Sequence, residues 1–519
     1  MAKGQDSNII SNNKRIAKNT LLLYFRMFIT MAIGLYTSRI VLKTLGISDY
    51  GIYNVVGGII TMLSFLNAAM VASSQRFISY ELGKGNLERL KMVFSTSVSI
   101  HIMIAIISFL LGETIGLWFI NTQLNIEANR MVAANWVYQC SILTFMVNVI
   151  SVPYRSCIVA HERMSAFAYI SILEVILNLM IVFLLRILPF DRLIVYAILI
   201  LSISVLIRMC YSIYCKQRFE ECIYFFCLDR KLFKDMFSFA GWSVVGNLGF
   251  SFKDQVSNII LNIFYGTILN AARGIGIQVS GAVNSFSGNF LMALNPQITK
   301  QYATGNEEES IKLVYAGSRY TFYLLTLISI PVIINADYIL KLWLGMVPEY
   351  TSHFLVLSLI TSLLYAVSGC VTTALQATGK IKIFQIGICI LMLSELPIAY
   401  LLLFLGYPPY SVMYPTIVSY TIAIFFRFYL LKRMIPSYDF KYYITHVLMR
   451  SFIIFAASLI ICYLLAKASV QNLTCLALST FLSLIIISTI IYIVGINKNE
   501  RKMIIQYAKQ LKKVCLSLK

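Results

Sequence analysis

The chain has 519 residues, of which 59% are hydrophobic and 13% are charged, and its formal net charge is +21. Soluble globular proteins contain about 25% charged residues, so this composition excludes a soluble protein. The longest polar connection, Lys216 to Asp235, is too short to fold as a separate domain, which also excludes an enzyme with a large catalytic domain outside the membrane.

Apolar runs of roughly 20 residues recur along the whole chain, and each is long enough to cross the hydrocarbon core of a bilayer. They predict an all-α integral membrane protein with about fourteen transmembrane helices. The basic N-terminal tail, residues 1–17, precedes an apolar stretch too long for a signal-peptide core, so the first span is predicted to be an uncleaved anchor. The predicted spans cover approximately 18–44, 50–76, 92–120, 130–157, 165–188, 192–215, 236–263, 270–298, 312–336, 351–377, 383–405, 410–431, 447–466 and 473–495.

The turn signals of the first half recur about 220 residues later, as expected for an internal repeat. The recurrence predicts two six-helix lobes, 18–215 and 236–433, joined by a linker at 216–235 and followed by two further helices at 447–495. Because the first and seventh helices start on the same side, the repeats are predicted to be parallel. The matching signals are Leu45-Gly46 with Tyr265-Gly266, Gly85-Asn86 with Gly305-Asn306, and Ala160 with Ala377.

The positive charge is distributed unevenly between alternate loops. Loops assigned to the inner side, together with both tails, carry about 27 lysines and arginines, whereas the outer loops carry about five, as the positive-inside rule requires. This asymmetry predicts that both termini are cytoplasmic, and it accounts for the net charge without a nucleic-acid partner. The tail at 496–519 has apolar residues at helical spacing among lysines, which predicts an amphipathic helix on the anionic inner leaflet.

Several predicted spans contain charged residues, although a charge at the bilayer centre costs about 2.5–3.5 kcal/mol on insertion scales. These residues must therefore face one another, the interior of the bundle or water. Basic residues outnumber acidic ones, which favours an anionic substrate, and the planar guanidinium of arginine suits phosphate. The set comprises Arg26 and Arg39 in the first span, Glu174 in the fifth, Arg208 in the sixth, Lys253 and Asp254 in the seventh, Arg273 in the eighth, Arg319 in the ninth, and Glu395 in the eleventh.

A polar stripe runs along the seventh span. Ser243, Asn247, Ser251, Asp254 and Asn258 follow one another at spacings of four, four, three and four residues, which places them on one helix face. The stripe predicts a cavity lining with Asp254 near its middle. The alternative is a set of hydrogen bonds between packed helices.

The charged residues divide into candidates for two roles. Arg26 lies deep enough in the first span that lining a water-filled cavity is favoured, whereas Arg39 and Arg273 lie nearer span ends and either line the cavity or extend to the interface. Glu174 and Glu395 occupy corresponding spans of the two lobes. Each is a candidate, with Asp254, for binding a coupling proton or sodium ion, or is a structural partner of a buried cation.

The eleven cysteines are scattered, no CxxC motif occurs, and the four histidines are far apart in the sequence. The cysteines are interpreted as small apolar core residues. The sequence therefore predicts no metal site and no cofactor beyond a coupling ion.

Five segments of the chain carry a family resemblance: Asn19–Gly58, Gln75–Asn86, Asn270–Gly276, Asn295–Gln301 and Gln376–Lys382. They resemble Wzx-type O-antigen and polysaccharide flippases of the multidrug/oligosaccharidyl-lipid/polysaccharide exporter superfamily. The resemblance implies a MATE-like fold of two six-helix lobes, often with two extra C-terminal helices. It also implies basic diphosphate-binding residues in helices 1, 2 and 8, which match Arg26, Arg39 and Arg273 here. Helix 2 departs from that pattern, because its only basic residue is Arg76, at its inner end.

The activity implied by this resemblance is transfer of undecaprenyl-diphosphate-linked oligosaccharide from the inner to the outer leaflet of the bacterial inner membrane, with the bilayer and polysaccharide assembly proteins as partners. Lys253 would assist Arg26 and Arg273 in holding the diphosphate, and Asn247, Ser251 and Asn258 would line the cavity. The rivals are a cation-coupled multidrug exporter of the same superfamily, a lipid-II flippase, and a membrane glycan polymerase or ligase, which normally has a large outward loop.

Overall fold

The computed structural model describes residues 2–46, 49, 52–53, 56–57, 64–123, 128–187, 189–226, 229–345, 347–465, 472–497 and 500–501. Within these ranges the regular structure is entirely helical. The α-helices are α1 Ala2–Leu45, α2 Ser64–Lys84, α3 Leu87–Leu111, α4 Leu117–Gln123, α5 Met131–Ala160, α6 Met164–Ile187, α7 Arg192–Arg218, α8 Arg230–Tyr265, α9 Thr267–Ala303, α10 Glu307–Ile334, α11 Ala336–Leu344, α12 Thr351–Ala377, α13 Lys382–Phe404, α14 Tyr414–Met434, α15 Phe440–Tyr442, α16 Arg450–Leu465 and α17 Leu473–Ile490.

Short segments of other helix types extend or join these helices. Ala128–Arg130 and Pro409–Met413 are 3₁₀ turns, while Gly112–Gly116, Tyr443–Met449 and Ile491–Gly495 are π-helical. In the first π segment Tyr138 donates a hydrogen bond of 2.7 Å to the carbonyl of Gly112.

Ten helices of the described residues are long and apolar enough to cross a membrane. This finding confirms the predicted all-α membrane protein, and the exact count of fourteen spans stays a prediction. The backbone of α1 begins at Ala2, so the predicted N-terminal tail and first span form one continuous helix. The predicted amphipathic helix of the C-terminal tail lies, apart from residues 500–501, outside the described residues.

Residues with positive φ stand at the turn signals of the predicted repeat. In this conformation a Cβ atom costs roughly 1–2 kcal/mol, which explains why five of the six are glycine. The exception is Glu162, at the turn between α5 and α6, whose side chain makes contacts that offset the cost. The matched positions are Gly46 (φ 84°) and Gly266 (74°), Gly85 (70°) and Gly305 (76°), and Glu162 (59°) and Gly379 (78°).

The described helices group into two compact units. Unit 1 comprises Met1–Phe252, Met292–Ser310 and Thr373–Ile390, and unit 2 comprises Lys253–Leu291, Ile311–Thr372 and Leu391–Lys519. Helices α8, α9, α10, α12 and α13 each contribute residues to both units. The predicted lobe boundaries follow the order of the chain rather than this grouping, and they remain a prediction.

In unit 1, α5 packs against α2, α3 and α7, and α1 packs against α6. The contacts of α5 with α3 and α7 include an apolar core that contains Ala134, Val137 and Ile142 of α5. The contact of α1 with α6 buries Val41 and Ile181. In unit 2, a second core joins Leu261 of α8 and Phe354 of α12.

A charged cluster ties the start of α7 to the loops before it. Arg130 donates to Asp49 (Nε to Oδ1, 2.9 Å) and to Asp191 (Nη1 to Oδ2, 2.5 Å), and Asp191 also caps α7 through the backbone amides of Leu193 and Ile194. Burial alone would raise the pKa of Asp191, but the hydrogen bonds from Arg130 and the α7 backbone outweigh it and hold that pKa below its usual range.

Replacing Arg130 with glutamine is expected to lower the free energy of unfolding by about 1 kcal/mol at pH 7, because the pair is only partly buried. A lowered native pKa stabilises the fold above the unfolded pKa of about 3.9, and this contribution disappears as the pH falls through the native value. The difference between variant and wild type should therefore shrink below about pH 4. Thermal unfolding in detergent at several pH values measures it, with Lys91→Gln, which removes an exposed helical pair, as the control. A difference that stays constant with pH would contradict the assignment.

Candidate substrate and coupling sites

Four of the predicted site residues come together in unit 2, and we call them the ionic cluster: Lys253, Asp254, Arg273 and Glu395. Lys253 Nζ lies 3.4 Å from Asp254 Oδ1 and 3.8 Å from Glu395 Oε2. Arg273 Nη2 lies 3.4 Å from the same Asp254 oxygen. Helices α8, α9 and α13 therefore bring two cations and two carboxylates into one connected group.

Burial differs sharply within the ionic cluster. Lys253, Arg273 and Glu395 are exposed by 6%, 3% and 2%, whereas the side chain of Asp254 is 52% exposed. Thr416 of α14 donates a 2.6 Å hydrogen bond to Glu395 Oε2, and Lys253 Nζ lies 5.6 Å from the centre of the Tyr420 ring. The cluster is thus a buried charged group with one accessible carboxylate.

The local charge of the ionic cluster is balanced. The sequence predicted a cationic cavity, because it showed more basic than acidic residues within the spans. In the structure each of the two cations in this cluster faces a carboxylate. Lys253 and Asp254, adjacent on α8, contact each other, and each also contacts a second charge: Lys253 lies near Glu395, and Asp254 lies near Arg273.

The polar stripe of α8 has an accessible middle. Ser243 is buried, Asn247 and Asn258 are half-buried, and Ser251 and Asp254 are exposed. Asn258 accepts a hydrogen bond from Arg273 Nη1. Exposed polar residues in the middle of a long helix favour a cavity lining over hydrogen bonds between packed helices.

Arg26 lies among polar residues of unit 1. It is half-buried, its guanidinium carbon lies 4.8 Å from the centre of the Phe167 ring, and it interacts electrostatically with Glu174 and Tyr211. Glu174 also interacts with Arg155 of α5, a residue not singled out from the sequence. The position of Arg39 in α1 is described, but its side chain lies outside the described residues.

A polar cavity of about 190 Å³ lies in unit 1 and was not predicted. Arg76, Asn295 and Gln376 come from three of the segments that carry the family resemblance. The lining contains three carboxamides, two hydroxyls and one guanidinium, and it contains no carboxylate. Its residues are Ala68, Val71, Ala72, Gln75, Arg76, Asn295, Thr299, Thr373 and Gln376.

Arg76 is held in place by the turn after α12 and by aromatic rings. Its Nη2 donates to the carbonyl of Ala377 at 3.0 Å, and its guanidinium carbon lies 4.4 Å from the Phe77 ring centre and 4.8 Å from that of Tyr80. The available sequence signal was its status as the only basic residue of the second span. What the sequence could not show is that the turn at Gly379 packs directly against it.

Next to this cavity, Glu162 joins three helices of unit 1, and we call this contact the Glu162 junction. Its carboxylate accepts hydrogen bonds from Lys300 Nζ (2.7 Å) and Gln297 Nε2 (2.5 Å) of α9, and its carbonyl accepts one from Asn19 of α1 (3.2 Å). Beside it, α2 crosses α9 so closely that a Cβ atom on Gly83 would lie 2.8 Å from the Lys300 carbonyl oxygen.

Arg427 of α14 is a further buried cation that sequence reasoning missed. Its side chain is fully buried, and Nη1 donates to Ser368 Oγ at 2.6 Å. In the described part of the chain it has aromatic neighbours and no carboxylate partner within salt-bridge distance. It lies within the predicted span 410–431, four residues before the end of that span.

Comparison with known proteins gives a family and a fold. The family profile described as "Polysaccharide biosynthesis protein" matches residues 16–301, which is more than half of the chain. No curated protein matches the sequence. The similar solved structures have sequence identities that support a likeness of fold alone.

Three of these structures illustrate the fold. One is a MATE protein in complex with MaL6, with a TM-score of 0.70 and 14% identity, where the match covers 81% of this chain and 97% of that one. Another is an outward-facing multidrug resistance MATE family transporter of the MOP superfamily. It has a TM-score of 0.68 and 15% identity, and the match covers 81% of this chain and 96% of that one. The third is a MOP superfamily transporter from Pyrococcus furiosus that is described as having a binding pocket of reverse polarity. It has a TM-score of 0.67 and 14% identity, and the match covers 81% of this chain and 96% of that one.

Proposed function

We propose that this chain, which belongs to the polysaccharide biosynthesis protein family, flips undecaprenyl-diphosphate-linked oligosaccharide repeat units from the inner to the outer leaflet of the bacterial inner membrane. It is a multi-pass membrane transporter of MATE-like fold, and both family and fold are those of transporters rather than enzymes. In this proposal both termini are cytoplasmic, as the distribution of basic residues favours.

The observation that carries the proposal is the cavity around Arg76. Carboxamides and hydroxyls are hydrogen-bonding partners for sugar hydroxyls, and a guanidinium suits phosphate oxygens. A lining with one cation and no carboxylate favours an anionic or neutral glycan-linked ligand over a cationic drug. Its volume of about 190 Å³ suits one sugar or a diphosphate at a time rather than the whole substrate.

In the proposed mechanism Arg26 and Arg273, assisted by Lys253, bind the diphosphate, while the ionic cluster couples this binding to a proton or sodium ion. Arg273 and Lys253 face carboxylates that compete with an anionic substrate. A cation bound by Asp254 or Glu395 would weaken those pairs and free both basic residues for the diphosphate. Glu174, which interacts with Arg26, is the corresponding candidate in unit 1. The polyprenyl chain stays in the lipid throughout.

Alternating access is supported by the way helices are shared between the units. In unit 1 the C-terminal ends of α9 and α12 contact α2 and the end of α5, through the Glu162 junction and the bond from Arg76 to Ala377. On the proposed topology these contacts close the cytoplasmic side. Opening that side requires the Glu162 junction to break, and this step would admit the substrate.

The second candidate is a cation-coupled multidrug exporter, which the carboxylates of the ionic cluster and the structural likeness to multidrug transporters favour. A strain lacking the gene separates the two. Loss of surface polysaccharide, with lipid-linked oligosaccharide accumulating on the cytoplasmic side, is the result expected for a flippase. Normal surface polysaccharide with increased sensitivity to cationic drugs would overturn the proposal, and an essential gene would favour lipid II as substrate.

Arg26→Ala is expected to reduce transport about tenfold, the equivalent of losing one charge-assisted contact, without reducing membrane insertion. Arg26→Lys should retain part of the activity, because it preserves the charge but loses the planar geometry. Complementation of the deletion strain, with protein quantified in the membrane fraction, measures the effect. Arg218→Ala, at an exposed position at the end of α7, is the matched control. Normal transport by correctly inserted Arg26→Ala would remove Arg26 from the substrate site.

A further inference from the structure

Outside the transport sites, unit 1 contains a cluster of thiol, imidazole and carboxylate groups that the sequence did not reveal. Cys157 and His161 lie on the last turn of α5 and just after it, four residues apart, and Glu221 and Cys222 lie just beyond α7 at the start of the segment leading to α8. One ligand atom from each of Cys157, His161 and Glu221 lies within 4.8 Å of the other two.

The distances within this cluster approach those of a coordination sphere. His161 Nε2 lies 2.5 Å and Cys157 Sγ 3.3 Å from Glu221 Oε1, and Cys222 Sγ lies 3.4 Å from Cys157 Sγ. Tetrahedral zinc with bonds of about 2.0–2.3 Å places its donor atoms about 3.3–3.8 Å apart. The ligand atoms of Cys157, His161 and Glu221 need only small side-chain adjustments to face one ion. Cys222 Sγ is close to Cys157 Sγ but lies outside that group, so it would join them by rotation of its side chain.

Burial distinguishes this cluster from a surface group of acidic residues. Cys157 and Cys222 are fully buried and Glu221 is 3% exposed, while the side chain of His161 is 25% exposed and provides an entry path. His161 is held flat against Phe219, with ring centres 4.0 Å apart and planes 10° apart. A third thiol, Cys215, lies one turn before the end of α7 and donates to the carbonyl of Tyr154, so it is oriented by the protein backbone.

We propose that Cys157, His161, Glu221 and Cys222 form a structural zinc site that fastens the segment after α7 to the end of α5. Two sulfur donors, one imidazole and one carboxylate are ligands that zinc accepts in tetrahedral geometry. All four positions are provided by protein, so the site holds the chain together and leaves no open position for catalysis. Because His161 precedes Glu162, the ion would also support the turn that carries the Glu162 junction.

The direct test is metal content of the full-length protein purified in detergent without chelators. One zinc per chain is expected, and this zinc should be lost in Cys157→Ser and in His161→Gln. Cys462→Ser, which removes a buried thiol of α16 in unit 2, is the matched control and should retain the zinc. Zinc that is absent even after incubation with zinc salt, or that is retained in both Cys157→Ser and His161→Gln, would overturn the proposal.

A second measurement does not depend on the folding of any variant. Wild-type protein stripped by chelator and reloaded with cobalt alone should show thiolate-to-cobalt charge-transfer absorption and the intense visible bands of tetrahedral cobalt. Cobalt spectra without a thiolate band, or a disulfide between Cys157 and Cys222 in protein purified under reducing conditions, would reject the site. Neither readout involves transport, so failure of this inference is distinguishable from failure of the proposed function.

Discussion

Replacing Lys253 with methionine is expected to destabilise the protein by about 3–5 kcal/mol, the usual effect of removing one partner of a buried ion pair. Glu395 is almost fully buried, and Lys253 is the cation nearest to it, at 3.8 Å. Without that cation the carboxylate would keep the neutral hydroxyls of Thr416 and Ser419 and only a more distant cation, Arg273, which do not replace the lost charge. Thermal unfolding in detergent and the amount of protein in the membrane fraction measure the loss.

The double variant Lys253→Met/Glu395→Gln separates a structural from a transport role. Removing both charges eliminates the uncompensated carboxylate, so we expect stability to return to within about 1–2 kcal/mol of the wild type. Transport should remain lost, because the proposed coupling needs both an ionisable carboxylate and a cation. Wild-type transport by a stable double variant would show that the pair only stabilises the fold. Thr361→Val in unit 2, whose hydroxyl bonds only to its own helix, is a control for polar-to-apolar change.

Replacing Gly83 with valine is expected to reduce transport by tenfold or more while leaving protein insertion intact. A Cβ atom at this position would meet the carbonyl oxygen and Cα of Lys300 at 2.8 and 2.9 Å, and backbone atoms cannot move aside without shifting α9. Overpacking of this kind typically costs about 1–3 kcal/mol, and 1.4 kcal/mol changes a conformational equilibrium tenfold. The Glu162 junction, which Lys300 completes, would then form less often.

Two readouts test this prediction. Complementation of the deletion strain measures transport. The rate of thiol labelling of Ala72→Cys measures opening of the cavity, which residue 72 lines. This labelling should be faster when Gly83→Val is also present. Gly281→Val is the matched control, because a Cβ atom there has no heavy atom within 4 Å. Unchanged transport together with unchanged labelling of Gly83→Val would contradict a role for this helix crossing in closure.

Only part of the candidate sites could be predicted from the sequence. Asp254 and Asn258 could be assigned to one helix face, because the α-helical period is local information. The proximity of Lys253 to Glu395, 142 positions later, could not be predicted, because no periodicity relates residues on separate helices. The same reason explains why the pairing of Glu162 with Lys300 and the position of Arg76 at a cavity were missed.

The thiol cluster illustrates this limit most clearly. Cys157 and Cys222 are 65 residues apart and follow no metal-binding spacing, so sequence reasoning placed them in an apolar core. They approach one another because α5 and α7 pack side by side and end at the same level, which brings the segment after α7 against the last turn of α5.

By itself, the sequence determined that this protein is an all-α membrane transporter of the polysaccharide biosynthesis family, and it located turns at which the structure has positive-φ residues. The length of an apolar run, the helical period and the positive-φ turns that favour glycine depend on residues close together in the chain. They can therefore be predicted from the sequence alone. The tertiary structure alone decided which charges are paired, which polar residues share a cavity and which thiols meet. Those properties depend on distances between helices, and the cost of burying a charge is settled only when its neighbours are known.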